Sequence, residues 1–163
     1  LHAALESGDP VIYMEHKELW GSTGPVLPGA RVELGKARTV RAGSDVTIVS
    51  WSKQVLACAE AAEALQAEGI SAEVIDLRTI WPWDREAVLE SAQRTGRLLV
   101  VHEAVQAAGF GAEIAATVAE HTNARVARLG APRIPVGYAP SLEAVSRIGA
   151  AKVAAAAQAL LQR

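Results

Sequence analysis

The chain has 163 residues, half of them hydrophobic, with 16 basic and 18 acidic side chains and a formal net charge of -2, enough for one ordinary core without cross-links. A single cysteine rules out an internal disulfide framework, and the interspersed charges form no basic face for nucleic acid. No uninterrupted apolar run reaches the ~20 residues of a membrane span.

The opening LHAALESGDP has no initiator methionine and no basic, then apolar, leader, and its Leu1, Ala4 and Leu5 are already at helical spacing. It is expected to lie inside a longer polypeptide. Gly8-Asp9-Pro10 ends that helix, and VIYME, from Val11 to Glu15, predicts a strand. HKELWGSTGPVLPGARVELG is rich in Gly and Pro, lacks a period, and is expected to be a linker.

After Gly35 the pattern changes to regular alternation. Arg38 to Arg41 predicts a strand, DVTIVSW a buried strand, and Gln54 to Glu68 a helix with Gly69 as its C-cap. AEVIDLR is the next strand. Asp84 caps the following helix and Glu86 suits its positive end. RLLVVHE is a strand, Gly111 to Glu120 a helix and RVARLG a strand. APRIPVGYAP is a stiff loop, and the chain closes with one or two helices from Leu142.

Strands joined by helices of ten to fifteen residues indicate βαβ units. The Ala-Gly-Ser link between Arg41 and DVTIV forbids a parallel crossover and permits an antiparallel hairpin, so Arg38 to Arg41 is expected to be an antiparallel edge strand. The fold class is therefore α/β: a three-layer αβα sandwich around a five-stranded, mostly parallel sheet with one antiparallel edge strand.

Gly109-Phe110-Gly111, ahead of a helix, has the grammar of a phosphate cradle. It fails the dinucleotide fingerprint, because Ile114 stands at the third glycine's position and the loop from Glu103 to Ala108 is too long. Two readings remain: anion binding at the helix start, or close backbone packing, and packing is preferred. His102 and Glu103 end a parallel strand where open α/β sheets place ligands. No nucleophile elbow and no second ligand at metal spacing accompanies them, so His102 is read as structural or interfacial. Trp51 and Trp81-Pro82-Trp83 are core caps or partner anchors. Pro132, Pro135 and Pro140 stiffen a loop that displays Arg133 and Tyr138, and Cys58, in an Ala-rich helical run, is expected to be a buried inert thiol. No catalytic, cofactor-binding or metal-binding residue emerges.

Taken in order, DPVIYMEHKELW, GKARTVRAGSDVTIVSWS, AAEALQAEGISAEVIDLRTIWPWD, LLVVHEAVQAAGFGAEIAATVAE and GYAPSLEAV resemble the beta subunit of the thiamine-diphosphate-dependent 2-oxo acid dehydrogenases, the decarboxylating component of the pyruvate, branched-chain and acetoin dehydrogenase complexes. The resemblance covers nearly the whole chain. It implies that residues 1–16 are the tail of a pyrimidine-binding domain, 17–36 a linker, and 37–163 a transketolase C-terminal-type domain. It implies a heterotetramer with an alpha subunit and a second beta subunit, thiamine diphosphate and magnesium held elsewhere in that assembly, none bound by this part alone, and docking to a lipoyl acyltransferase core. Trp51, His102, Gly109, Phe110, Gly111, Arg133 and Tyr138 would serve contact or docking. The implied location is bacterial cytoplasm, or the mitochondrial matrix in a eukaryote. Ala108 stands where the family often has glycine, and Arg133 where it often has an acidic residue. Transketolase and deoxyxylulose-phosphate synthase share the domain, but the EHK and WPWD segments fit the dehydrogenases better. The alternative is a free-standing doubly wound domain binding an anion or nucleotide at the Gly111 helix start.

Overall fold

The computed structural model describes residues 1–25 and 28–162. A short helix α1 (His2–Glu6) and a single 3-10 turn (Lys17–Leu19) precede the alternating region. There follow β1 (Arg38–Arg41), β2 (Val46–Ser50), α2 (Gln54–Ala67), β3 (Ala72–Asp76), α3 (Arg85–Thr95), β4 (Arg97–Val105), α4 (Gly111–His121), β5 (Arg125–Ala131), α5 (Pro140–Ser146) and α6 (Ala150–Leu161). The caps act as their residue types require. The Asp84 carboxylate accepts the Ala87 N–H at 3.2 Å, and Gly69 leaves α2 at φ +81°.

The sheet order is β1-β3-β2-β4-β5, with β2, β3, β4 and β5 mutually parallel and β1 antiparallel on the edge. The antiparallel edge strand is as expected, but its partner is not. β1 pairs with β3, through Arg38 with Asp76 and Thr39 with Ile75, and not with β2 in the hairpin that the short link permits. The short link does reverse the chain, yet it steps across the start of β3 rather than folding β1 onto β2. Its Ser44 and Asp45 N–H groups both donate to the Ser71 carbonyl, and a Cβ on Gly43 would lie 2.3 Å from the Ala72 and Glu73 backbone. Only glycine lets one backbone pass that close to another.

A second correction concerns Val11–Glu15, which forms no strand. β-branched and aromatic composition favours a strand only where a neighbour completes the ladder. Here Ile12 and Met14 are 86% and 79% exposed.

Alternation along the central strands sends side chains to two cores. Val46, Ile48, Val74, Leu99 and Val101 face α2 and α6, whereas Val49, Ile75, Leu98 and Val100 face α3 and α4. Cys58 lies fully buried in the first core, where loss of hydration pushes its thiol up to about 12, so it stays protonated and inert. Thr47 faces the other way, 2.6 Å from Ser91 and 2.8 Å from Thr95, and Ser91 and Arg94 both bond the buried Glu73 carboxylate. That network holds α3 over β2 and β3.

Pro140–Leu161 has the length and composition of a membrane span, with a mean hydropathy of 1.2. The backbone leaves helical geometry at Arg147, so the stretch is two helices. α6 reaches about 18 Å at 1.5 Å per residue, short of a ~30 Å hydrocarbon layer, and it buries Val153, Ala157 and Leu160 against the sheet side of α2.

Candidate functional site

The chain runs from β2 to β3 in one direction and then returns past β2 to β4, with α2 on one face and α3 on the other. The order reverses between β2 and β4. In doubly wound sheets the crevice beyond the carboxyl ends of two such strands is where ligands bind. Here that crevice is filled from within.

Ser50, at the end of β2, donates its hydroxyl to the Val101 carbonyl on β4 at 2.9 Å. The next residues are Trp51 and His102, stacked with ring centroids 5.5 Å apart and planes 22° apart. Phe110 meets Trp51 edge-on at 5.8 Å and Trp83 at 6.3 Å. His102 is 1% exposed. Its Nδ1–H donates to the Ala104 carbonyl at 3.0 Å, which fixes the tautomer and leaves Nε2 as a buried acceptor with no partner among the described residues.

Glycines make room for this ring. A Cβ on Gly109 would lie 2.7 Å from His102 Cε1, one on Gly111 2.6 Å from Cδ2 and Nε2, and one on Gly130 2.8 Å from Cε1. The Gly109-Phe110-Gly111 segment therefore packs against an imidazole, and the volume before α4 in which an anion would sit is occupied. Burial lowers the His102 pKa below its ordinary value, the Ala104 hydrogen bond opposes this, and the charge of Arg128 lowers it further. A neutral ring is the state that suits an enclosed Nε2.

Of the residues expected to meet partners, His102 and Gly111 lie inside the fold. Trp51, Gly109 and Phe110 are partly covered, while Arg133 and Tyr138 are exposed, Tyr138 fully. Trp81, joined to Pro82 by a cis bond, is 81% exposed. Around the 132–138 loop and α5, Ile134, Val136, Tyr138, Leu142 and Val145 make an exposed apolar surface.

Sequence reasoning missed the charges that tie the 3-10 turn to this edge. His16 Nε2 is 2.8 Å from Glu103, and Glu18 pairs with Lys53 and, at 3.0 Å, with Arg147, which also meets Glu143 at 2.8 Å. Lys53, then Arg147, hold the Glu18 carboxyl below the usual carboxylate range. The pairs that reach the turn join residues 35 to 129 positions apart, and nothing local announces them. Gly130 was missed too, although a glycine inside a strand does signal close approach.

Among the described residues no group of three or more His, Cys, Asp or Glu is placed to hold a metal ion. The crevice between the ends of β2 and β4 is packed by Trp51, His102 and Phe110.

The sequence model of the family described as transketolase, C-terminal domain, matches residues 35–153. The acetoin:2,6-dichlorophenolindophenol oxidoreductase subunit beta of Cupriavidus necator is 42% identical over 160 residues, covering 95% of this chain and 47% of that protein. The 2-oxoisovalerate dehydrogenase subunit beta of Bacillus subtilis is 37% identical over 99% of this chain and 52% of its own length. The mitochondrial pyruvate dehydrogenase E1 component subunit beta of Dictyostelium discoideum is 38% identical over 100% and 48%. A solved structure titled as a split gene transketolase, inactive beta4 tetramer, superposes with a TM-score of 0.78 at 32% identity, covering 87% of this chain and 47% of that one. The chain thus spans about half the length of the relatives it matches.

Proposed function

This chain belongs to the transketolase C-terminal domain family, and on that premise we propose that it is the C-terminal part of the beta subunit of a 2-oxo acid dehydrogenase decarboxylating component. The whole enzyme removes carbon dioxide from a 2-oxo acid and passes the acyl group to a lipoyl carrier. Thiamine diphosphate supplies the carbanion chemistry of that reaction, and with magnesium it is held by other parts of an assembly of alpha and beta subunits. Residues 1–16 belong to the preceding pyrimidine-binding domain, 17–36 are the linker and 37–163 the assembly domain. The assembly works in bacterial cytoplasm, or in the mitochondrial matrix if its host is a eukaryote.

The observation that carries this division of labour is the filled switch point. A fold that usually opens a ligand crevice between β2 and β4 spends it on the Trp51–His102–Phe110 stack, while Val136 and Tyr138 are left 69% and 102% exposed on the loop outside. Buried rigidity beneath an exposed aromatic is what a docking surface requires. The partners are the alpha subunit, a second beta subunit and the lipoyl acyltransferase core, and Arg133, exposed and positive, weakens any contact there with a basic partner.

The test is carbon dioxide release from pyruvate, 2-oxoisovalerate and 2-oxobutyrate, with thiamine diphosphate and magnesium present. The isolated chain is expected to give none. The full-length beta subunit with its alpha partner is expected to turn over at least one of the three. Turnover by the isolated chain would overturn the proposal.

A further inference from the structure

On the open side of the sheet, at the carboxyl ends of β4 and β5, lies a concavity of about 430 Å³ whose walls include Gln106, Arg128, Gly130, Pro132 and Arg133. Among the described residues no acidic one lines it. Arg128 and Arg133, like most of the arginines, enter no ion pair among the described residues. Half-buried Arg128 and exposed Arg133 therefore bring unpaired positive charge to the lining of one hollow. Arg128 uses one terminal nitrogen to donate to the Gln106 carbonyl at 3.0 Å, which anchors its planar head and leaves the other, Nη2, free. Gln106 Oε1 accepts the Gly130 N–H at 3.3 Å, so the amide NH2 of the same side chain is the end left to donate.

We propose that this hollow is a binding site for a phosphoryl oxyanion carried by a small molecule, held by the Arg128 and Arg133 guanidiniums and the Gln106 amide. Arginine presents paired N–H donors that match phosphate geometry, and charge-assisted bonds of this kind are about twice as strong as neutral ones. The hollow is within the ~300–1,000 Å³ range of small-molecule sites, larger than a bare phosphate needs. The position also fits, because the carboxyl edge of a parallel sheet is where such folds bind ligands. Since the switch point is plugged, the next pair of strand ends is the one left open. Gly130 links the two features, lining the hollow on one side and touching His102 on the other.

This inference does not depend on the enzyme assignment, and its test reads binding rather than turnover. Amide NMR shifts of the chain are followed during titration with inorganic phosphate and with phenyl phosphate at fixed ionic strength, with acetate as the carboxylate arm. Saturable shifts at Gln106, Gly130 and Ala131 are expected with both phosphates, tighter for the monoester. R133Q, at an exposed position, should weaken binding about tenfold, the cost of one charge-assisted contact, and R128Q by at least as much. Shifts that do not saturate, equal affinity in R133Q, acetate binding as tightly as phosphate, or saturation at Gly111 instead would each overturn it.

Discussion

His102 governs the residue-scale behaviour of the sheet end, because three glycines exist to accommodate it. Gly111→Ala puts a methyl 2.6 Å from the imidazole and 3.2 Å from Val100 Cγ1, and overpacking of this kind costs about 1–3 kcal/mol. If the ring is the obstacle, His102→Ala relieves part of the strain, so urea unfolding of the two single variants and the double variant should give a destabilisation smaller than the sum. Strict additivity would mean that Val100, not His102, sets the limit. The same ring carries a pH signature. Its native pKa lies below the ordinary 6.5, so above that pH both folded and unfolded states are neutral and nothing is lost. As pH falls below 6.5 the unfolded chain takes up a proton that the folded chain refuses, and stability declines by up to about 1.4 kcal/mol per pH unit. The Glu18 pKa is lowered too, but by Lys53 and Arg147 bonding its charged form, so its contribution is lost only as pH falls below its ordinary 4.5. Unfolding curves between pH 7 and 5 should therefore slope for the native chain and flatten for His102→Gln. Ala108 adds a smaller effect. It holds φ +59° where glycine would be unstrained, so Ala108→Gly should raise stability by about 1 kcal/mol in the same measurement.

At the scale of elements, Gly43 decides which strand β1 reaches. Gly43→Ala brings a Cβ to 2.3 Å from the β3 backbone, and unlike His102 a peptide group cannot rotate away. The variant is expected to lose about 3 kcal/mol, the upper end of the overpacking range, with faster hydrogen exchange at Thr39 and Ile75 as β1 peels off. Unchanged exchange there would mean the link can detour. This link also marks where reading the sequence stopped. The four parallel strands, their helices, the Asp84 cap and the antiparallel sense of β1 were all legible, since hydrophobic period, turn chemistry and loop length are local. The identity of β1's neighbour was not, because a four-residue link fixes direction and leaves open which strand the chain lands beside. VIYME misled for a related reason: strand propensity describes a surface able to pair, and among the described residues nothing pairs with it. The filled crevice was half legible. The glycines and His102 stood out as a motif, yet only the coordinates place the ring in the space an anion would take. The basic hollow was invisible, since Gln106, Arg128 and Arg133 converge only when β4 and β5 lie side by side.

For the molecule as a whole, the distribution of exposed apolar groups sets the expectation. Scattered surface leucines are ordinary, but Ile134, Val136, Tyr138, Leu142 and Val145 are contributed by one loop and the helix after it. The segment below them is pinned from outside, since Arg147 meets both Glu143 on α5 and Glu18 on the 3-10 turn, and Lys53 holds Glu18 in turn. A surface so braced loses little entropy when it meets a partner, and an aromatic on it contributes more than its area suggests. Tyr138→Asp and Val136→Asp should leave the melting temperature within about 2 °C of the native value, as surface changes usually lie within ~0.5 kcal/mol, while lowering self-association or alpha-subunit binding at least tenfold by sedimentation or titration calorimetry. The charge brace gives an independent control. In Arg147→Gln the docking face is chemically intact but less rigid, so its loss of affinity should be smaller and should shrink as salt is added and the ion pairs are screened. If the aspartate variants associate as the native chain does, assembly uses another face, with Trp81 the first to substitute.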